Sequence, residues 1–410
     1  MDRFISTETL IIELLLVASL VAILVRRLRV PYTVALVLVG LVLTLQQPLE
    51  LSLTPELILA LLVPPLVFEA AFHINFTELR RNLPGILLLA VVGVILSTLI
   101  VGGAVSLVTP LSLPIALVFG ALISATDPVA VVALFRALGA PRRLALLVEG
   151  ESLLNDGTAI VLFNLVLAAA LTGHFDLLNG VADFLRVSAG GVVVGLALGW
   201  IAAQIIARVD DYLIETTLTT VLAFGAYLVA ERLHFSGVLA VVVAGLINGN
   251  MGPQGMSPTT RIVLFNFWEY VAFLANSFIF LLIGLQVNVP TLLANWQPIA
   301  WAIVAVLAAR SIVTYSLGWV VNRFSDPLPL RWLHVLNWGG LRGAIALALA
   351  LSLPADLGPQ RELVRIMAFG VVLFTLLGQS TTMRPLLRAL AIVTRNPIQM
   401  QYELRHARLM

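Results

Sequence analysis

One stretch of the sequence decides the fold: Leu147-Val148-Glu149-Gly150-Glu151-Ser152-Leu153-Leu154-Asn155-Asp156-Gly157. It immediately precedes the apolar run 158–171. Inserting an ionisable group into a bilayer costs roughly 2.5–3.5 kcal/mol. An acid in such a span therefore indicates a partner or a function. At helical spacing Ser152 and Asp156 share one face, and Glu151 and Asn155 share the next. The first face offers oxygen ligands for a hard cation, and the second could hold an arginine. A capped helix start near water is the simpler alternative.

The composition indicates a polytopic membrane protein. The 410 residues are 60% hydrophobic and 11% charged, with a mean hydropathy of +1.03, whereas soluble domains carry roughly 25% charged residues. The apolar runs do not alternate with polar residues, which argues against a β-barrel. Cysteine and lysine are absent, which excludes disulfides, thiolate metal sites and Schiff-base chemistry. The N-terminal run has no basic start or cleavage site, so it is predicted to be a span.

Thirteen apolar runs predict thirteen membrane-spanning helices in a single unit over 1–410, without a soluble domain. The runs are 8–25, 31–46, 54–74, 84–109, 114–135, 144–172, 187–209, 213–231, 236–250, 261–288, 297–322, 332–353 and 363–391.

Arginines cluster after the odd-numbered spans, and the alternate loops carry few of them. By the positive-inside rule, the N-terminus is predicted outside and the C-terminus in the cytoplasm. The clusters are Arg26, Arg27, Arg29, Arg80, Arg81, Arg136, Arg142, Arg143, Arg208, Arg261, Arg323, Arg331, Arg384, Arg388, Arg395, Arg405 and Arg408.

Two spans are interrupted by polar residues. Span five contains Ser124-Ala125-Thr126-Asp127-Pro128, and span twelve contains Asn337-Trp338-Gly339-Gly340-Leu341-Arg342-Gly343. Pro128 cannot continue a helix, so Asp127 is predicted to cap a second half-helix. The two spans hold the fifth place in six-span halves of opposite orientation, which is the sequence pattern of a secondary transporter. Two unrelated kinks are the alternative.

Several segments resemble the signature sequences of the monovalent cation:proton antiporters. The closest similarity is to the NhaP-type branch related to eukaryotic sodium/proton exchangers. The segments that carry it are Glu149 to Gly157, Ala125-Thr126-Asp127-Pro128-Val129-Ala130, Gly339-Gly340-Leu341-Arg342-Gly343-Ala344, Pro64-Pro65-Leu66-Val67-Phe68-Glu69-Ala70, Phe273-Leu274-Ala275-Asn276-Ser277 and Gly284-Leu285-Gln286.

The resemblance implies an all-α fold of two inverted six-helix repeats whose two broken helices cross near the bilayer midplane. A core around 84–172 and 297–391 would move against a dimerising scaffold around 1–74 and 187–288. The implied partners are a monovalent cation, protons, the lipid bilayer and a second copy in a homodimer, with no nucleic acid and no cofactor. The implied location is the plasma (inner) membrane, and the protein would not be an enzyme.

The resemblance also implies roles for single residues. Asn155 and Asp156 match the family's Asn-Asp pair, and Glu151 and Arg310 match its structural ion pair, with Asn155 nearby. The implied cation ligands are Asp156, Ser152, the Thr126 carbonyl and Glu69, whereas Arg342 and Asp127 match charges at the two helix breaks. We expect Asp127 to neutralise a helix dipole rather than to bind the ion.

The resemblance favours electroneutral exchange of Na⁺ or Li⁺ for H⁺ by alternating access. The electrogenic branch carries Asp in place of Asn155 and Lys in place of Arg310. A K⁺/H⁺ antiporter stays open, because the ligands are oxygen atoms in every case. A channel or an organic-anion symporter is a weaker alternative, and an intramembrane hydrolase lacks its signature strings.

Overall fold

The computed structural model describes residues 2–28, 31–46, 58–174, 176–255 and 257–392, and all regular structure within them is helical. The helices are α1 Asp2–Leu28, α2 Tyr32–Gln46, α3 Ile58–His73, α4 Phe76–Val108, α5 Leu113–Leu122, α6 Val129–Leu138, α7 Arg142–Thr172, α8 Leu177–Ile206, α9 Tyr212–Arg232, α10 Gly237–Gly255, α11 Pro258–Leu285, α12 Val289–Ala294, α13 Trp296–Val321, α14 Leu330–Trp338, α15 Ala344–Leu351 and α16 Pro359–Ala389.

Each predicted span falls on one helix or on a broken pair. Seven helices in the described part of the chain are long and apolar enough to cross a membrane, namely α4, α7, α8, α9, α11, α13 and α16. The all-α polytopic architecture is therefore confirmed, while the number of thirteen crossings stays a prediction. Of the arginines used for orientation, Arg29, Arg395, Arg405 and Arg408 lie outside the described residues.

α4 and α8 begin eight and ten residues earlier than predicted, because polar residues were taken for loops. α4 begins at Phe76 rather than at 84, since the Asn75 side chain accepts hydrogen bonds from the N–H groups of Thr77 and Glu78 and caps the helix. α8 begins at Leu177 rather than at 187, with Asp176 as the same kind of cap.

The two broken helices are joined at their breaks. α5 ends at Leu122 and α6 begins at Val129, whereas α14 ends at Trp338 and α15 begins at Ala344. The Asp127 N–H donates to the Leu341 carbonyl at 2.8 Å, so the two non-helical segments meet. The Asp127 carboxylate accepts the Val129 N–H at 3.0 Å, which is the hydrogen bond predicted for a helix cap, and Pro128 between them has helical dihedral angles.

Small residues let the helices approach closely, which is how helices associate in a bilayer. A methyl group at Gly40 of α2 would lie 2.9 Å from the Leu285 nitrogen of α11. A methyl group at Gly120 of α5 would lie 3.1 Å from the Thr98 Cα of α4. Through such contacts α2 and α3 pack on α11 and α10, while α4 packs on α5 and α13.

Candidate functional site

The first helix break exposes backbone carbonyls that a continuous helix would use internally. The Ser124 and Ala125 carbonyls accept hydrogen bonds from Nη1 of Arg342, at 2.8 and 3.3 Å. The Thr126 carbonyl accepts a hydrogen bond from the Ser152 hydroxyl on α7. These contacts satisfy buried polar groups at membrane depth, and they fix α7 and the second break against the first.

Asn155 holds the first break from the α7 side. Its Oδ1 accepts the Thr126 N–H at 3.1 Å, and its Nδ2 donates to the Thr126 hydroxyl at 2.8 Å. A longer contact of 3.4 Å reaches the Ser124 carbonyl. Asn155 lies one helical turn from Glu151 on α7, but its amide hydrogen-bonds to the break and not to Glu151 or Arg310.

Asp156 faces a cavity of about 110 Å³ between α3, α7 and the two breaks. This volume is enough for several water molecules. Among the residues that the structure describes, no hydrogen-bond donor reaches the Asp156 carboxylate. The cavity brings together all four predicted cation ligands, which are Asp156, Ser152, Thr126 and Glu69.

Asp127 lines the same cavity and is held differently from Asp156. Its Oδ1 accepts the Val129 N–H at 3.0 Å, at the start of α6. Gly343 lies against this carboxylate, and a methyl group there would lie 2.5 Å from the Asp127 Cβ. Glycine at 343 is therefore required by the close approach of the second break to Asp127.

The mouth of the cavity carries two further acids. Glu69 of α3 forms an ion pair with His73 at 3.2 Å, and its side chain is 19% exposed. Glu149 of α7 forms an ion pair with Arg136 at 3.3 Å and is 21% exposed.

Two residues that line the cavity, Glu149 and Asn276, were not assigned from the sequence. Glu149, Ser152 and Asp156 are spaced three and four residues apart, so helical spacing alone places Glu149 on the cavity face. Asn276 lies on α11, in a segment quoted for the resemblance but given no role. It adds a residue of α11 to the lining of the cavity.

Glu151 and Arg310 are brought together away from the cavity. Arg310 donates through both terminal nitrogens to the two Glu151 oxygens, with the Nη2–Oε2 distance at 3.1 Å. Nη2 also donates to the Leu336 carbonyl of α14 at 2.9 Å. The side chains are 3% and 10% exposed. The pair joins α7, α13 and α14, and a methyl group at Gly340 would lie 2.8 Å from the Arg310 Nε.

The second break is anchored by a residue that sequence reasoning missed. The Thr375 hydroxyl accepts the Arg342 N–H at 3.1 Å and donates to the Val372 carbonyl at 3.0 Å. Thr375 opens a π-helical turn in α16 that ends at Gln379, and such turns are frequent at functional sites. Thr375 thus anchors one break as Ser152 anchors the other.

The sequence is similar to sodium/hydrogen exchangers over most of its length. The sequence model of the transmembrane sodium/hydrogen exchanger family matches residues 15–389. The Na(+)/H(+) antiporter ApNhaP of Aphanothece halophytica is 44% identical over 369 residues, which cover 89% of this chain and 70% of that protein. The Na(+)/H(+) antiporter NhaH of Halobacillus dabanensis is 39% identical over 399 residues, which cover 93% and 98%.

One similar solved structure is that of the sodium proton antiporter MjNhaP1 from Methanocaldococcus jannaschii at pH 8. The TM-score is 0.78 at 22% identity, and the match covers 96% of this chain and 100% of that chain. At this identity the likeness concerns the fold, and it agrees with the all-α architecture described above.

Proposed function

The chain belongs to the sodium/hydrogen exchanger family, and from that premise we propose that Asp156 binds Na⁺ and H⁺ in turn. The protein is a multi-pass membrane sodium/proton antiporter, not an enzyme, and its substrates are the ions themselves. One observation carries the assignment to Asp156: its carboxylate lines the cavity and has no hydrogen-bond donor among the described residues. Such a carboxylate gains an ionic or covalent partner only from a cation or a proton.

The remaining ligands are oxygen atoms, which suit a hard monovalent cation. While the Ser152 hydroxyl donates to the Thr126 carbonyl, its lone pairs stay available to an ion in the cavity. The Thr126 carbonyl has a second lone pair for the same purpose. Glu69 closes the set from α3, across the cavity from α7.

We propose that Asp127, Arg342, Asn155, Glu151 and Arg310 position this site without binding the ion. Asp127 and Arg342 neutralise the partial charges of the backbone groups at the helix breaks. Arg342 donates hydrogen bonds to two carbonyls, and Asp127 accepts one from an N–H. Asn155 orients Thr126, and Arg310 fixes α7 through Glu151. The Asp127 carboxylate differs from that of Asp156 in that it accepts a backbone hydrogen bond, from the Val129 N–H.

The relatives' names favour Na⁺ over K⁺, since each of the two similar proteins is called a Na(+)/H(+) antiporter. We propose one H⁺ for one Na⁺, because Asn155 cannot titrate and Glu69 is already paired with His73. Exchange of one charge for one charge is electroneutral.

Alternating access requires two bodies that move against each other. The helices of 1–74 and 187–288 pack among themselves, as do those of 84–172 and 297–391, which supports the proposed scaffold and core. We further propose a homodimer through the scaffold, in the plasma membrane, with the N-terminus outside. The arginine distribution supports this orientation.

The deciding experiment is cation-dependent dissipation of a pH gradient in proteoliposomes, comparing Na⁺, Li⁺ and K⁺. We expect Na⁺-dependent exchange in the wild type and none in Asp156→Asn. Asp183→Asn is the matched control, because Asp183 is an exposed acid paired with Arg186 on α8. Exchange retained in folded Asp156→Asn would exclude the assignment.

A further inference from the structure

Two glutamate–arginine pairs start from neighbouring turns of α7 and differ in how tightly they are held. Arg310 donates through both terminal nitrogens to the Glu151 carboxylate, and the two side chains are 10% and 3% exposed. Arg136 reaches the Glu149 carboxylate through Nη2, at 3.3 Å, and its side chain is 64% exposed. Breaking a buried pair costs much stability, whereas an exposed pair contributes little to it. The Glu149–Arg136 pair can therefore open without loss of the fold.

Glu149 lies between the ion cavity and the solvent. Glu149, Ser152 and Asp156 follow one stripe of α7, and all three line the cavity. Glu149 is seven residues before Asp156, which is about 10 Å along the helix at roughly 1.5 Å per residue. Its side chain is 21% exposed, so part of it is accessible from outside the protein. A cation that reaches Asp156 through this mouth therefore passes the Glu149 carboxylate.

Arg136 is brought to the same level by the helix that follows the first break. α6 begins at Val129 and α7 begins at Arg142, and the short turn between them makes the two helices antiparallel. Arg136 lies seven residues after Val129, about 10 Å along α6 from the break. Its guanidinium thus meets Glu149 at the mouth of the cavity rather than beside Asp156.

The mouth as a whole is acidic. Electrostatic interactions reach Glu69, the proposed ligand on α3, from His73, Arg136, Glu149 and Glu269. The glutamates outnumber the bases here, and Arg136 is the base that is always charged. By pairing with Glu149, Arg136 both occupies an oxygen ligand on the path and places a positive charge there. Each effect weakens the attraction of an arriving Na⁺, since like charges repel.

We propose that Glu149 is the first carboxylate to bind an entering Na⁺, and that Arg136 is a tethered counter-ion which Na⁺ displaces from it. The inference rests on the proposed antiport at Asp156. Arg136 acts through Glu149, so the two residues affect Na⁺ in opposite directions. Removing the arginine strengthens Na⁺ binding, and removing the glutamate weakens it. A pair that only held α6 against α7 would change Na⁺ binding in the same direction from either side.

The test compares the KM for Na⁺ of four variants with that of the wild type, from initial Na⁺-dependent proton flux in proteoliposomes at one fixed pH. The variants are Arg136→Met, Arg136→Lys, Glu149→Gln and the double variant Arg136→Met with Glu149→Gln. Arg81→Met is the matched control. Arg81 is also an exposed arginine in an ion pair, 74% exposed and 2.7 Å from Asp326, so its removal changes the net charge equally without touching a cavity acid.

We expect Arg136→Met to lower the KM about two- to fivefold, the range that opening an exposed ion pair allows, with little change in kcat. Arg136→Lys and Arg81→Met should stay near the wild type, and Glu149→Gln should raise the KM about twofold or more. In the double variant, Arg136→Met should no longer lower the KM. An unchanged or higher KM in Arg136→Met would overturn the proposal. So would the same reduction with and without Glu149, because Arg136 would then act on the whole mouth rather than through Glu149.

Na⁺ binding is also measured without transport, from the melting temperature of the purified protein in NaCl against choline chloride at equal ionic strength. The Na⁺ concentration that raises the melting temperature by a given amount should be about two- to fivefold lower for Arg136→Met than for the wild type. That difference, found in a protein that does not exchange Na⁺ for H⁺, would contradict the proposed antiport alone. Normal exchange in the wild type, with no difference between Arg136→Met and the wild type in either measurement, would contradict the role of Arg136 alone.

Discussion

The backbone N–H of Asp127 donates to the carbonyl of Leu341 at 2.8 Å, which fixes the two broken helices to each other at their breaks. Arg342, the next residue along, reaches back to the Ser124 carbonyl at 2.8 Å. With the longer contact of Arg342 to the Ala125 carbonyl, at 3.3 Å, one neutral and two charge-assisted hydrogen bonds join the two breaks beside the Asp156 cavity. Through Ser152 and Asn155 the first break is also hydrogen-bonded to α7, the helix that carries Asp156.

The approach of Gly343 to Asp127 gives a first prediction. Gly343→Ala should lower transport, because the added methyl group overlaps the Asp127 carboxylate and displaces the start of α15. Gly103→Ala is the matched control, since a methyl group at Gly103 would contact nothing within 4 Å. The readout is Na⁺-dependent proton flux at equal protein content, and unchanged flux in Gly343→Ala would contradict the close approach.

The Glu151–Arg310 pair gives a second prediction. Removing one partner of a buried ion pair leaves an unpaired charge and typically costs about 3–5 kcal/mol, so Arg310→Met should lower the melting temperature sharply. Replacing both residues with Glu151→Leu and Arg310→Met should recover much of the loss. A double variant no more stable than Arg310→Met would show that the two residues are not partners.

An exposed ion pair supplies the control for that experiment. Arg186 and Asp183 lie 3.0 Å apart, but their side chains are 67% and 47% exposed. Such pairs contribute about 0–1 kcal/mol, so Arg186→Met should leave the melting temperature almost unchanged.

Asn155 gives a third prediction. Asn155→Leu leaves the buried Thr126 N–H without its acceptor, which costs about 1–3 kcal/mol, and should raise the KM for Na⁺ by misplacing the Thr126 carbonyl. Asn155→Asp keeps an acceptor for that N–H, and at low pH, where the new acid is protonated and can also donate to the Thr126 hydroxyl, its loss of stability should be smaller. Equal melting temperatures for the two variants would show that the Thr126 contact does not stabilise the fold.

The residues that the sequence singled out as cation ligands lie around one cavity, whereas several helix ends differ from the predicted ones. Buried acids and interrupted spans are costly in a bilayer, so Asp156, Glu151, Arg310 and the two breaks stood out by their cost alone. Thr375 could not be found in this way, because a threonine is common in an apolar helix. Its role depends on a hydrogen bond from the N–H of Arg342, which is distant in the sequence.

Competition at Asp156 gives a fourth prediction. If H⁺ and Na⁺ share this carboxylate, protons displace Na⁺ by mass action, so the KM for Na⁺ should rise as pH falls. In the pH range where the site is mostly protonated, lowering the pH by one unit should raise the KM for Na⁺ about tenfold. Initial Na⁺ flux measured against Na⁺ concentration at several pH values tests this. A KM that is flat across the range would mean that the two ions bind at separate sites.

Stoichiometry gives the fifth prediction. Among the described residues, Asp156 is the cavity carboxylate that accepts no hydrogen bond and has no ion-pair partner, Asn155 carries no titratable proton, and Glu69 is paired with His73. One H⁺ should therefore move against one Na⁺, and no net charge should cross. If net charge did cross, a membrane potential would add roughly 2.3 kcal/mol per charge per 100 mV to the driving force.

The measurement is the equilibrium Na⁺ gradient reached under a fixed pH gradient in proteoliposomes, with the potential clamped by valinomycin and K⁺ at several values. We expect the same Na⁺ gradient at every potential. A gradient that shifts with potential would mean that a second acid titrates in each cycle, and repeating the measurement with Glu69→Gln and Glu149→Gln would identify which one.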